Sequence, residues 1–228
     1  MIIKLAHRVK AIKPSPTLTI VNRAKELRAA GQDVVSLGAG EPDFDTPKHI
    51  KEAAIKAIHN GKTKYTAVDG TPELKQAIIA KFKRDNGLDY EPQQILVSCG
   101  GKQSFYNLAQ VLLDSGDEVV VPSPYWVSYP DIVLLAGGVP VYVHAKATQQ
   151  FKINPAQLAA AITDKTRLVI INSPSNPSGM VYTAEELQAL GKVLQEHPRI
   201  VIATDDIYEH IRWRKDPFVN ILSVCPDL

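Results

Sequence analysis

Short apolar runs alternate with amphipathic segments along this chain, and the alternation predicts an α/β fold. The runs at residues 168–171 and 200–203 are continuously apolar, which is typical of strands covered on both faces of a sheet. Helix-start signals lie between such runs, at Thr71-Pro72, at Asn154-Pro155 and at the capping box that begins with Thr183. Strands separated by helices predict a three-layer α/β/α protein with a mostly parallel sheet.

The same pattern predicts further elements. We expect helices from about residue 17 to Gly31, from Thr46 to Gly61, from Gly101 onwards and across residues 127–136. We expect strands at residues 34–37, 95–97, 118–121 and 139–143. The segment before about Ile50 is less regular, so we expect it to pack apart from the sheet.

Composition and charge exclude several classes of protein. A chain of 228 residues with 45% apolar content can bury a core of one domain or one and a half. Its 26 basic and 24 acidic residues nearly balance, which gives no reason to expect nucleic-acid binding. Apolar runs such as residues 132–136 are far shorter than the ~20 residues that span a membrane. Two cysteines, Cys99 and Cys225, are too few for a disulfide framework and fit the cytoplasm. We predict no metal site.

A pair of glycines marks a candidate anion site. Gly100 and Gly101 follow one predicted strand and open a helix. Ligands of parallel sheets bind beyond the carboxyl ends of the strands, and the N–H groups of a helix N-terminus attract phosphate. A tight turn with no ligand uses glycines in the same way, so this pair alone does not decide between the two interpretations.

A carboxylate and a phenol follow another predicted strand. Asp205 closes the predicted strand at residues 200–204, and Tyr208 comes three residues later. A carboxylate can pair with a protonated pyridine nitrogen, which makes the ring an electron sink, and a phenol can bond the neighbouring ring hydroxyl. Spacing alone does not separate Asp205 from Asp206, and a helix cap or a surface tyrosine is the ordinary alternative.

Asn176 and Trp126 extend this set of residues. Asn176 lies between two prolines that stiffen its loop, and its amide can donate to a ring hydroxyl and to a substrate carboxylate. Trp126 can stack on an aromatic cofactor, although an aromatic residue after a strand is more often part of the core. With Asp205 and Tyr208, these residues suit pyridoxal phosphate.

Six motifs occur in a fixed order, at residues 38–44, 64–65, 100–103, 124–130, 172–179 and 205–209. In this order they resemble the class I pyridoxal-phosphate aminotransferases of fold type I, over essentially the whole chain. The most similar branch is that of the bacterial aspartate aminotransferases, some of which also use prephenate. The family usually has Glu where this chain has Asp206, and the carboxylate before it, Asp205, is unchanged.

The resemblance implies a role for each matching residue. For the cofactor, it implies Gly100, Gly101 and Lys102 at the phosphate, Trp126, Asn176, Asp205 and Tyr208 at the ring, and Tyr65 at the phosphate of the neighbouring subunit in a homodimer. For the substrate, it implies Gly40 and Asn176 at the α-carboxylate, Lys102 at a distal carboxylate, Lys13 in prephenate use, and Trp126 as a further substrate-binding residue. For both lysines, a solvated surface cation is the alternative.

The resemblance also implies a domain organisation and a function. Residues 1–49 would form an N-terminal arm and part of a small domain, and residues 50–228 an incomplete large cofactor domain. The full-length protein would move an amino group between aspartate or glutamate and a 2-oxo acid in amino-acid biosynthesis. The lysine that forms a Schiff base with the cofactor would lie beyond Leu228, so we expect this chain alone to be inactive. The alternatives are a fold-type-I lyase or decarboxylase and a non-catalytic fragment.

Overall fold

The computed structural model describes residues 3–213 and 215–228. Its contacts divide the chain into a larger unit, which comprises the residues up to Ile12 together with Asp69–Leu228, and a smaller unit, Lys13–Val68. The predicted division into residues 1–49 and 50–228 refers to the domains of the full-length family fold, and it stays a prediction. Each unit is described separately.

The helices begin close to where the cap signals place them. In chain order they are α1 His7–Ala11, α2 Pro16–Ala29, α3 Lys48–His59, α4 Pro72–Lys81, α5 Gly101–Leu112, α6 Ser128–Leu135, α7 Pro155–Ala161, α8 Ala184–Gln195 and α9 Ile221–Val224. A π-helical turn, Phe82–Asn86, extends α4, and two short 3₁₀ turns lie at Pro92–Gln94 and Ala147–Gln149. The predicted helix start at Asn154 and the predicted capping box at Thr183 are confirmed, because each side chain accepts a bond from the third residue of its helix.

The larger unit contains a parallel sheet. Its strands are β1 Glu118–Ser123, β2 Val139–His144, β3 Thr166–Asn172 and β4 Val201–Asp205, and within the described residues their order is β2-β1-β3-β4. Every pair of neighbours runs parallel. The register between β3 and β4 places Asn172 opposite Asp205, so the last residues of these two strands meet at one edge of the sheet.

Apolar residues cover the sheet on both faces. In β3, Leu168 and Ile170 join a buried cluster with α5 and α6, while Val169 and Ile171 join another with α7, α8 and α9. Successive side chains of a strand point to opposite faces, so a continuously apolar strand serves two cores. The predicted three-layer α/β/α architecture with a parallel sheet is therefore confirmed.

Two predicted strands are wrong. Residues 34–37 and 95–97 have no strand pairing within the described part of the chain. Val35 and Leu37 are 83% and 93% exposed, and Leu96 is 57% exposed. Val97 donates one backbone bond to the carbonyl of Asp69, which is not a ladder. An apolar run supplies strand propensity, but a strand also needs a neighbouring strand to bond, and the part of the chain that the structure describes offers none to these segments.

The smaller unit contains α2 and α3. The hydroxyl of Ser15 caps α2, and Gly31 follows its end with a φ of +80°, as the glycine signal predicts. Thr46 was the predicted cap of α3, but Pro47 occupies that position and makes no side-chain cap bond. Instead, the backbone N–H of Thr46 donates to the carboxylate of Asp45, which also pairs with Lys51.

Neither a membrane span nor a metal cluster is found among the residues that the structure describes. No helix in that part of the chain is long and apolar enough to cross a bilayer. The same residues hold no group of histidine, cysteine and acidic side chains that could bind a metal ion.

Candidate cofactor-binding site

One cavity of about 740 Å³ lies where β4 ends and α5 begins. Its volume falls within the range of about 300–1,000 Å³ that is usual for small-molecule sites. Seven residues predicted from the sequence line it, namely Gly100, Gly101, Lys102, Trp126, Asn176, Asp205 and Tyr208. The structure therefore brings together, within the larger unit, residues that are more than 100 positions apart in the sequence.

The anion-binding end of the cavity is the N-terminus of α5. Gly100 caps the helix with a φ of +88°, a conformation that favours glycine. Its own N–H already donates to the carbonyl of Ser98 at 2.8 Å. The N–H groups of Gly101 and Lys102 belong to the first turn, where a helix offers donors without intrahelical acceptors. The N–H groups of Gly101 and Lys102 are thus available to bind an anion. The N–H of Gly100 can take its predicted role at the phosphate only if its hydrogen bond to Ser98 breaks.

The space in front of this helix end is open. A Cβ atom added to Gly100 or Gly101 would meet no other atom within 4 Å. The absence of side chains at both positions therefore leaves room for a ligand to approach the backbone, as an anion cradle requires.

Asp205 lies at the end of β4 with its carboxylate held on both oxygens. The hydroxyl of Tyr129 donates to Oδ2 at 2.5 Å, and the N–H of Ile207 donates to Oδ1 at 3.3 Å. Burial, and after it the charge of Asp205, raise the pKa of Tyr129 well above its usual value. The phenol of Tyr129 therefore stays protonated and donates its hydrogen to the carboxylate of Asp205.

Asp206 has a different environment from its neighbour. Its carboxylate accepts from the Asn220 amide and, at 3.5 Å, from the Thr204 hydroxyl. Burial raises the pKa of Asp206 to about 6, although the bond to Asn220 opposes the shift. Both carboxylates line the cavity, but Asp206 binds to the residue that caps α9. Asp205 and Asp206 thus differ in their hydrogen-bond partners, a difference that their spacing in the sequence did not reveal.

Aromatic residues form one wall of the cavity. The ring of Trp126 contacts Tyr129 edge-on, with centroids 5.2 Å apart and an angle of 84° between the planes. Phe105 contacts Tyr129 in a similar edge-on manner at 5.3 Å. The ammonium of Lys102 lies 5.1 Å from the centroid of Trp126, which is within cation–π distance. The aromatic ring of Trp126 and the positive charge of Lys102 therefore both line the cavity.

Glu209, the residue after Tyr208, connects the turn after Asp205 to α4 and to its π-helical extension. This carboxylate pairs with the ammonium of Lys81 and accepts from the amide of Asn86 at 3.1 Å. Burial alone would raise the pKa of Glu209, but Lys81 and Asn86 hold it below its usual value. The turn after Asp205 is thereby fixed to α4 and to its π-helical extension.

Sequence reasoning missed Tyr129 and Glu209 as supporting residues. Both lie inside motifs that the sequence analysis singled out, at residues 124–130 and 205–209. The motifs marked the segments, but only three-dimensional contacts show that Tyr129 reaches Asp205 and that Glu209 reaches Lys81.

The other predicted site residues belong to the smaller unit. Lys13, Gly40 and Tyr65 all lie within Lys13–Val68. The side chain of Tyr65 is fully exposed in the single chain. The roles expected for these three residues stay predictions.

The residues around the cavity fit pyridoxal phosphate by their chemistry. A helix N-terminus without side chains suits the phosphate, an oriented carboxylate suits a protonated ring nitrogen, and a phenol and an amide suit the ring hydroxyl. Fold and cavity together define a class: a three-layer α/β protein with a site for a phosphorylated aromatic cofactor at its strand ends.

The comparisons with known proteins identify the family. Residues 32–227 match the family "Aminotransferase class I and II", and the chain belongs to this family. It is 63% identical over 225 residues to the aspartate/prephenate aminotransferase of Nitrosomonas europaea, covering 99% of this chain and 57% of that protein. Members of this family of fold type I depend on pyridoxal phosphate.

Solved structures agree with this assignment. The aspartate aminotransferase of Rhizobium meliloti superposes with a TM-score of 0.95 at 49% identity, covering 99% of this chain and 56% of that one. That of Thermus thermophilus with maleate gives a TM-score of 0.94 at 47% identity, with 99% and 58% covered. This chain thus spans about half the length of the relatives that it matches.

Proposed function

We propose that the protein carrying these residues is a pyridoxal-phosphate-dependent aminotransferase that exchanges amino groups between an acidic amino acid and a 2-oxo acid. One observation carries the proposal. The first turn of α5, the Asp205–Tyr129 pair, Asn176 and Tyr208 surround a single cavity, although the sequence separates them widely. The lyase and decarboxylase alternatives are not favoured, because the matched relatives are aminotransferases.

Each residue has a proposed part in binding and orienting the cofactor. The N–H groups of Gly101 and Lys102 bind the phosphate, and Trp126 stacks on the ring. Asp205, oriented by the Tyr129 hydroxyl, would pair with a protonated ring nitrogen, while Tyr208 and Asn176 would bond the ring hydroxyl. When bound, the cofactor supplies a sink for the electrons that the substrate α-carbon releases.

Lys102 is the residue that we propose to select acidic substrates. Its backbone lies in the first turn of α5 and its ammonium lies over Trp126, so the charge is at the cavity rather than dispersed in solvent. The names of the relatives support a dicarboxylic substrate, since they include aspartate and, in one crystal structure, maleate. Use of prephenate, with Lys13 involved, is a further part of this proposal.

We also propose a cytoplasmic homodimer, with Gly40 near the substrate carboxylate and Tyr65 reaching the phosphate of the neighbouring subunit. The exposed side chain of Tyr65 supports this, because it is accessible to a second chain. Inactivity of the 228-residue chain on its own stays a prediction.

Replacing Lys102 tests the substrate class. In the full-length protein, we expect Lys102→Ala to lower kcat/KM for aspartate about 10- to 100-fold, the equivalent of one charge-assisted hydrogen bond of about 1.5–3 kcal/mol. Alanine as amino donor should be affected much less. Lys192→Ala removes an exposed lysine of α8 and serves as the matched control. Equal losses for acidic and neutral donors would contradict the assigned role of Lys102.

A further inference from the structure

We propose that the side chain of Asn172 is a positioning residue that holds the Asn176 loop and the Asp205 strand end at one fixed separation. Asn172 itself is the last residue of β3. The hydrogen bonds of Asn172 are observed in the structure and do not depend on any ligand. Their proposed effect on cofactor binding rests on the proposed function.

Three hydrogen bonds carry the inference. The Asn172 amide nitrogen donates to the backbone carbonyl of Asp205 at 2.9 Å and to that of Pro174 at 3.2 Å. Its amide oxygen accepts from the backbone N–H of Asn176 at 2.7 Å. One side chain is thus bonded to the residue proposed for the ring nitrogen and to the residue proposed for the ring hydroxyl.

The position of Asn172 follows from the sheet register. Asn172 lies opposite Asp205 in the parallel pair of β3 and β4, so a short side chain reaches across to β4. The residues before it in β3 are buried in the two cores, which fixes the strand up to this point. The next residue, Ser173, still donates its N–H to the carbonyl of Asp205 at 3.3 Å. Beyond Ser173 the chain leaves the sheet, and its backbone groups need other partners.

The loop after Ser173 is closed on itself, and the Asn172 side chain gives it a second connection to β4 beside the backbone bond of Ser173. Inside the loop, the N–H of Ser175 donates to Met180 at 2.9 Å and that of Gly179 donates to Ser175 at 2.8 Å. These bonds set the shape of the loop. The Ser173 bond holds the start of the loop, and the hydrogen bond from Asn176 to Asn172 sets the distance of Asn176 from β4, because the Asn172 amide also bonds the carbonyl of Asp205.

The chemistry at residue 172 requires an amide. The side chain must donate on one atom, to two carbonyl oxygens, and accept on the other, from an N–H group. Aspartate has the same shape but only accepts, so Asn172→Asp would keep the bond from Asn176 and place a negative charge against both carbonyls. Alanine would remove all three bonds. The two substitutions therefore separate the connection to Asn176 from the connection to Asp205.

The first experiment measures the geometry without a ligand. Amide hydrogen exchange of the purified chain, followed by NMR, should show a protected Asn176 N–H. We expect protection to persist in Asn172→Asp and to fall at least tenfold in Asn172→Ala, with no such change at Ser175. Unchanged protection of Asn176 in a folded Asn172→Ala chain would overturn the proposal, whatever the chain binds.

The second experiment measures the consequence for the cofactor. Pyridoxamine 5′-phosphate is the probe, because it lacks the aldehyde that labels lysines. Titration should show that Asn172→Asp and Asn172→Ala bind it at least tenfold more weakly than the parent chain. Asn154→Asp, a distant change of the same type at the cap of α7, should bind it like the parent.

The outcomes distinguish this inference from the proposed function. A parent chain that does not bind the probe contradicts the proposed cofactor site, and hydrogen exchange still decides the role of Asn172. A parent chain that binds the probe, together with two Asn172 variants that bind it as tightly as the parent does, overturns the positioning role. If Asn172→Asp fails to fold, Asn172→Ala, which adds no charge, decides the positioning role by its comparison with the parent chain. A loss of thermal stability with unchanged probe affinity assigns Asn172 a structural role only and also overturns the proposal.

Discussion

The two walls of the cavity are built in different ways. On the β3–β4 wall, side chains are fixed by hydrogen bonds to one another and to the strand ends, as in the pairs Tyr129–Asp205 and Asn172–Asp205. On the α5 wall, Gly100 and Gly101 have no side chains, and the first turn offers backbone N–H groups. The comparison teaches that the sheet supplies an oriented charge, whereas the helix supplies donors that do not depend on side-chain identity. Substitutions should therefore act differently on the two walls.

The largest effect on the α5 wall should come from removing a backbone donor. Gly101 is the first residue of α5, where proline is compatible with a helix, so Gly101→Pro removes one N–H and retains the helix. Pyridoxamine 5′-phosphate should bind about 10- to 100-fold more weakly, since a charge-assisted bond contributes about 1.5–3 kcal/mol. Isothermal titration measures this directly.

Two controls sharpen the test of Gly101. Gly101→Ala keeps the N–H and adds a Cβ to open space, so it should weaken binding less than Gly101→Pro. Pyridoxamine without its phosphate should bind Gly101→Pro and the parent chain alike. If proline weakens the two probes equally, the phosphate does not lie at this helix end.

A smaller effect is expected on the sheet wall when Asp205 loses one partner. Tyr129→Phe removes the hydroxyl that donates to Asp205 and keeps the ring that packs against Trp126 and Phe105. Binding of pyridoxamine 5′-phosphate should weaken about tenfold, because a hydrogen bond to a charged group contributes about 1.5–3 kcal/mol and the N–H of Ile207 remains.

Tyr142→Phe is the matched control for Tyr129→Phe. Tyr142 stacks on Tyr125 at the outer strand β2 and does not contact Asp205. Its loss should leave the affinity within twofold of the parent. Equal affinities of the Tyr129 and Tyr142 variants would mean that the Tyr129–Asp205 bond does not orient the carboxylate for the cofactor.

The comparison of the walls also shows what a sequence can predict. Caps and apolar runs are local signals, so α7, α8 and the buried strand β3 follow directly from them. Residues that follow the ends of neighbouring parallel strands lie at the same edge of the sheet, which is why Asn176 and Asp205 line one cavity.

Contacts that depend on tertiary pairing could not be predicted in this way. The run at residues 95–97 has strand propensity, but no local signal shows whether a neighbouring strand is present. Asp205 and Asp206 are adjacent in sequence, and their different partners, Tyr129 and Asn220, come from distant segments. The bond of Gly100 to Ser98 likewise depends on the exact turn before α5.

The central claim is that Asp205, rather than Asp206, forms the charged partner of a cofactor in this cavity. Titration of the purified 228-residue chain with pyridoxamine 5′-phosphate tests it most directly, with Asp205→Asn and Asp206→Asn as matched isosteric changes. The account predicts saturable binding at one site, weakened at least tenfold by Asp205→Asn, which loses the charge, and no more than about threefold by Asp206→Asn. Equal losses in the two variants, or unchanged binding in Asp205→Asn, would contradict it.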